Sequence, residues 1–284
     1  MLKGLSRAGI GDIKDIKQFI QLASEYKFEA IETDGKSLWD LMEVEGLDNT
    51  KALLNHNNIQ ICAIGLQVEW RKTEEEFRGG LNRLIRDAEV AASLGCTSST
   101  TYILPSTDQN AAHFMALAIS RLRTCAQILG AFGIRLGLEF VGPHHLRTAW
   151  ENPFIWNMKE TVDLIAAIDE KNVGLLIDSY HWYTNELCIE DILQLDNSQI
   201  VHVHINDAPN VPITEVLDND RLYPGEGVID LVGFLKALKR IGYKGAVSQE
   251  ILTLQPQREP ADTLVKKSAD AFDGLFTSAG LEQI

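Results

Sequence analysis

Positive charge is in short supply in this chain. It holds 26 Lys and Arg against 40 Asp and Glu in 284 residues, a formal net charge of −14. Binding to nucleic acid rests on a face that neutralises phosphates, so the charge balance argues against that class of partner. No Lys/Arg run repairs the deficit. Arg121 with Arg123, and Lys236 with Lys239 and Arg240, have helical spacing and read as solvated faces. Cysteine is sparse as well: Cys62, Cys96, Cys125 and Cys188 stand far apart without a C-x-x-C pair. Free buried thiols in a reducing compartment are expected. No apolar run approaches the roughly 18 residues of a membrane span. The stretch MLKGLSRAGIGDIKDIKQ lacks the apolar core of a signal peptide. A cytoplasmic protein without membrane contact is the expectation. A glycine-rich phosphate turn is missing too. Gly9 and Gly11 lack the third glycine and follow a poor strand, which removes the main support for an open, doubly wound nucleotide-binding sheet.

What the chain does contain is one repeated unit, a short β-like run followed by a loop and an amphipathic helix. The runs are Gly4 to Ile10, Phe28 to Thr33, Ile59 to Leu66, Thr97 to Leu104, Ile134 to Phe140, Val173 to Asp178, Ile200 to Ile205 and Gly245 to Glu250. Helices are expected over 12–26, 37–55, 74–94, 109–132, 158–168, 189–195, 229–241 and 261–276. Glu74 to Leu94 shows the pattern well, with Phe77, Leu81, Leu84, Ile85, Ala88 and Ala91 on one side and Gly95 placed as its C-terminal cap. Eight strands that each precede a helix are the count of a closed α/β barrel, a single (β/α)8 TIM barrel over residues 1–284. No linker of Gly/Ser or Pro composition divides it.

The last four strands each end in, or carry near the end, a residue able to bind metal: Glu139, Asp178, His204 and Glu250. Singly, each has an ordinary explanation. Glu139 could pair with Arg135 or Arg147, Asp178 could cap the segment after its strand, and His204 could be a satisfied core histidine. In a barrel, however, these ends converge on one mouth. Three carboxylates buried together are costly without a compensating cation. A divalent metal resolves that cost. The ligand set is mostly hard, favouring Mn²⁺ or Mg²⁺, with Co²⁺, Fe²⁺ and Zn²⁺ admissible. His202 lies two residues before His204 and so points the same way one layer deeper, as a supporting or packing residue. His181, three residues after Asp178, is expected in the loop above the metal. It could be a ligand, a substrate contact or a solvated residue, and substrate contact is favoured. Trp70, Trp150, Trp156 and Trp182 fall in expected mouth loops, where a sugar ring could stack on them. The alternative is that they pack the loops or an interface of a homo-oligomer, a dimer or tetramer.

The motifs LGLEF, LLIDSYH, VHVHIND, RLYPGEG and VSQE, in this order, resemble the xylose-isomerase-like barrels. That superfamily includes ketose 3-epimerases of the tagatose and psicose type, inosose dehydratase, hydroxypyruvate isomerase and endonuclease IV. The resemblance implies one divalent ion held by Glu139, Asp178, His204 and Glu250, with Glu139 and Glu250 also exchanging the proton. It implies substrate contact by His181 and, through a substrate oxygen, by Arg221. His145 stands where some epimerases have a substrate-contacting glutamate, and Trp182 is a further candidate contact. The expected activity is a metal-dependent sugar isomerase or epimerase, acting by proton transfer next to the carbonyl of a ketose or polyol. An inosose-type dehydratase on the same metal site is the alternative. A DNA-repair endonuclease is disfavoured, because the ends of the third and fourth strands, GLQVEW and TTYILPS, lack its extra histidines. A non-catalytic sugar-binding barrel would need the quartet without turnover. Asp207 is a weak candidate for a second set of metal carboxylates.

Overall fold

A computed structural model describes residues 1–281. Eight parallel strands close into a barrel in chain order: β1 (Leu2–Leu5), β2 (Ala30–Thr33), β3 (Gln60–Gly65), β4 (Ser98–Ile103), β5 (Arg135–Phe140), β6 (Val173–Asp178), β7 (Ile200–Ile205) and β8 (Ala246–Gln249). β1 pairs with both β2 and β8, so the ring has no free edge. β6 and β7 are buried at every position, as expected of strands covered by the lumen on one face and helices on the other. Ser106–Thr107 and Asn152–Pro153 form a small antiparallel ribbon outside the barrel.

The helices form the outer layer. Those that matter here are α1 (Ile16–Glu25), α2 (Gly35–Glu45), α3 (Leu47–His56), α4 (Glu74–Ser93) and α5 (Ala111–Ala131). Thr73 caps α4: its hydroxyl accepts from Glu76 N, while the Glu76 carboxylate accepts from Thr73 N. The single helix expected over 37–55 is two, α2 and α3. Gly46 between them has φ +78°, a conformation that stops one helix and lets the next start at a new angle. The first strand ends at Leu5 rather than Ile10, and the other strand and helix expectations hold to within a few residues. The four cysteines are free, as expected, but only Cys96 and Cys125 are buried; Cys62 is partly so and Cys188 is exposed. No helix among the described residues is long and apolar enough to cross a membrane.

Candidate active site

The carboxyl ends of β5, β6 and β7 and the residue after β8 meet at one end of the lumen. Register does much of this work, because Asp178 in β6 is the backbone partner of His204 in β7. Glu250 N donates to Ile205 O (3.2 Å), holding the end of β8 beside β7. The donor atoms of Glu139, Asp178, His204 and Glu250 lie within 4.8 Å of one another. His204 Nδ1 is 3.4 Å from Glu139 Oε1, 3.4 Å from Glu250 Oε2 and 3.8 Å from Asp178 Oδ2. Glu139, Asp178 and His204 are buried and Glu250 is partly so. Neither arginine weighed as a partner for Glu139 pairs with it. Arg135 donates to the carbonyls of Ile200 and Ser198, and Arg147 to those of Gly142 and Thr184.

Asp178 serves two purposes. Its Oδ1 accepts from Tyr180 N (2.6 Å), capping the short helix Ser179–Thr184, and Asn206 Nδ2 donates to both its oxygens at 3.1 Å. Arg221 reaches in from the long loop after β7. Its Nη1 donates to Asp178 Oδ2 (2.8 Å) and Glu250 Oε2 (2.7 Å), and its Nη2 to Asp218 Oδ1 (2.9 Å). The guanidinium therefore braces the carboxylates as well as facing the site, a commitment its sequence position did not reveal. His181 Nε2 sits 3.4 Å from Arg221 Nη2 and 3.9 Å from Glu139 Oε1. His181 is not in an open loop: it is buried on the Ser179–Thr184 helix.

Electrostatics divides the two glutamates. Burial pushes the Glu139 carboxyl up, aided by the Glu250 charge and opposed by His204. Burial also raises Glu250, but His204 and Arg221 outweigh it and bring that carboxyl down to about 2. For His204, burial disfavours the charged ring, yet Glu32 and Glu250 together hold it well above the usual histidine range.

Four expected contacts, Trp182, His145, Trp70 and Trp156, fall elsewhere. Trp182 is buried away from the mouth, with its ring 5.5 Å from that of Phe234 and its indole N–H donating to Cys188 O, so it is a packing residue. His145 is exposed on the single helical turn His144–Arg147 and makes no contact with the quartet. Trp70 is fully buried against Phe114, and Trp156 lies under the Arg147 guanidinium (3.7 Å). Among the described residues, Asp207 joins no second carboxylate set. Its Oδ1 accepts from the backbone N–H of Ala208 and Ile229, and its Oδ2 from Gly225 and Gly227, all at 2.9–3.0 Å. It thus ties down the P-G-E-G turn, where a Cβ on Gly227 would meet Ala208 O at 2.2 Å.

A cavity of about 490 Å³ opens over the cluster, with Glu139, His204 and Glu250 in its lining. Its wall comes from the first half of the barrel, with Arg7, Gln67, Glu69, Arg71, Thr101 and Tyr102. Arg71 is held there by Thr101 Oγ1 (3.0 Å) and by the faces of Trp70 and Tyr102. Glu32 also lines the cavity, from β2. The sequence reading missed it because a lone carboxylate near the end of an early strand carries no distinguishing mark.

The family described as xylose isomerase-like TIM barrel matches residues 20–274. An inosose isomerase of Bacillus velezensis is 33% identical over 156 residues, 55% of this chain and 53% of that protein. The chain thus spans about half the length of the Bacillus inosose isomerases it matches in this way. Among solved structures, a xylose isomerase domain protein of Alicyclobacillus acidocaldarius superposes with a TM-score of 0.90 at 31% identity, over 99% of both chains. The IOLI protein, solved with a zinc atom, superposes over the full length of both chains with a TM-score of 0.81 at 21% identity, a likeness of fold. With the closed barrel, the motif order and these matches together, the chain belongs to the xylose isomerase-like TIM barrel family.

Proposed function

We propose that this protein is a divalent-metal-dependent isomerase or epimerase of ketoses and related cyclic polyols, working by proton transfer at the carbon next to a carbonyl. The observation that carries the reading is the placing of Glu139 and Glu250, each 3.4 Å from His204 Nδ1, in the lining of one polar cavity. The residues fit a cation. Glu139 Oε1 and His204 Nδ1 are buried polar atoms without a hydrogen-bond partner, and both belong to the cluster. Three carboxylates, Asp178, Asp218 and Glu250, share one guanidinium, so negative charge remains after Arg221 is counted. The Bacillus relatives act as inosose isomerases and the IOLI protein binds zinc, which favours the same class of chemistry here.

Glu139, Asp178, His204 and Glu250 would hold the divalent ion, which would supply Lewis acidity to a substrate carbonyl and its neighbouring C–H. The rest falls to the chain. One glutamate removes the carbon-bound proton and the other returns one, and the outcome depends on the face each presents. Arg221 keeps the Asp178 and Glu250 carboxylates in place, and His181, packed against it, contacts a substrate oxygen. Donors and acceptors on the cavity wall, among them Gln67, Thr101 and Arg71, suit a ligand rich in hydroxyls. The partner is a small sugar or polyol.

The test is a panel of ketoses and inososes in D₂O with Mn²⁺, followed by NMR for deuterium at the carbon next to the carbonyl. Exchange with at least one of them is expected, and Glu250→Gln should abolish it. No exchange from any member with metal bound would remove the reading. Exchange accompanied by loss of water would move it to a dehydratase on the same site.

A further inference from the structure

Glu32 stands outside the four-residue cluster, yet it touches one of its members. β2 and β7 are not neighbours in the ring, so the contact crosses the lumen. Glu32 Oε1 is 2.7 Å from His202 Nε2, and Glu32 Oε2 is 3.2 Å from His204 Nε2. The two imidazoles stand edge to face, 5.3 Å apart at 88°, so one carboxylate can meet both rings at once. The backbone prepares this. The β2–β3 register slips between Ile31 and Glu32, an irregularity of the kind that re-aims a side chain beside a functional site.

We infer that Glu32 is a positioning residue for the candidate metal centre: by hydrogen bonding to Nε2 it fixes the ring orientation and tautomer of His204, so that Nδ1 faces Glu139, Asp178 and Glu250. The inference rests on reading that cluster as a metal centre. The chemistry is direct. Each carboxylate oxygen of Glu32 faces one imidazole Nε2 at hydrogen-bond distance, and with the carboxylate as acceptor those ring nitrogens are the donors. A metal ligand must be a neutral imidazole, and with Nε2 donating to Glu32 the lone pair of His204 would then be on Nδ1, the atom that lies 3.4 Å from both glutamates. His202 completes the arrangement by gripping the other oxygen of Glu32, which stops that carboxylate from turning away. A carboxylate behind a ligating imidazole in this manner orients the ring and raises its basicity.

The rival reading makes Glu32, His202 and His204 a second cation site, since their donor atoms also lie close together. Distance speaks against it. Two donors bound to one tetrahedral ion at about 2.1 Å each would lie about 3.4 Å apart. Glu32 and His202 are 2.7 Å apart, the length of a hydrogen bond.

The experiment compares the full chain with Glu32→Gln, Glu32→Asp and His202→Asn. Co²⁺ is titrated by calorimetry, its visible spectrum recorded, and the metal-free fold checked by circular dichroism. The wild type should bind one ion. Glu32→Gln should weaken binding on the order of 10–100-fold and shift the cobalt spectrum. Glu32→Asp, which keeps the charge, should recover part of the affinity, and His202→Asn should show a smaller loss. Should Glu32→Gln fail to fold, the His202→Asn comparison decides. Normal binding by the wild type, with unchanged affinity and spectrum in the variants, overturns the positioning role alone. Two ions in the wild type, with one lost in Glu32→Gln, also overturns it, because Glu32 would then be a ligand. A wild type that takes up no ion overturns the metal-centre reading itself.

Discussion

The two halves of the barrel have the same backbone and different chemistry. The strands β5 to β8 bring Glu139, Asp178, His204 and Glu250 to the mouth, each near the end of its strand. The strands β1 to β4 end in Leu5, Thr33, Gly65 and Ile103. These strands and the loops after them supply the cavity wall, where Gln67, Arg71 and Tyr102 gather. One half therefore concentrates charge that needs a counter-ion, while the other shapes the space in which a ligand sits. Glu32 is the exception, a carboxylate of the wall half that reaches the histidines of the charged half. Because both halves are parallel strands of one closed ring, the division is one of side chains at strand ends and not of architecture.

The largest expected effect tests that division directly. Glu139→Gln should reduce substrate deuterium exchange by roughly 10³-fold, in the range for loss of a general acid or base. Glu69→Gln, on the wall, should change it less than tenfold. Comparable losses from both would erase the distinction between the halves.

Stability should show no such asymmetry. Leu5 in β1 and Leu175 in β6 are both fully buried in the one core. Replacing either with Ala should cost about 3 kcal/mol in denaturant unfolding. A cost confined to one half would mean that the barrel is not stabilised as a unit.

Carboxylate environments sharpen the contrast further. Glu250, beside Arg221, is brought down to about 2, whereas burial pushes Asp87 on α4 up to about 6 and Arg83, 3.6 Å away, offsets only part of this. A carboxyl raised on folding binds more protons in the native state. Its contribution is fully present below the unfolded value near 4 and is lost as pH rises through about 6. Asp87→Asn should therefore stabilise the protein at pH 8, by about 2 kcal/mol, and do little at pH 4. A pH-independent difference between variant and wild type would contradict this account.

The smallest effect belongs to a helix end. Thr73→Ala removes the side chain that accepts from Glu76 N at the start of α4. It should cost about 1 kcal/mol by thermal unfolding, with exchange activity unchanged.

Much of the barrel was legible in the sequence because its signals are local. Val173 to Asp178 reads as a buried strand from composition alone, and the structure ends it at the same residue. The break at Gly46 was missed because the apolar pattern continues through it, and only the backbone turn separates α2 from α3. Trp182 was misplaced for a related reason. It follows a mouth strand, yet the helix that starts at Ser179 turns its ring inward onto Phe234. His145 sits near the cluster in sequence, but the short helical turn leaves it in solvent.

The sequence by itself determined the barrel and the gathering of Glu139, Asp178, His204 and Glu250. Strand period is local, and parallel strands in a closed ring bring their carboxyl ends to one mouth whatever fills the loops. Only the tertiary structure decided how those residues are held. Arg221 meets Asp178 across 43 residues of chain, and Glu32 meets His202 across 170. Such contacts depend on how a loop folds back and on which side chains share the lumen. Neither leaves a periodic trace, so the nitrogen that His204 turns toward the carboxylates becomes visible only in three dimensions.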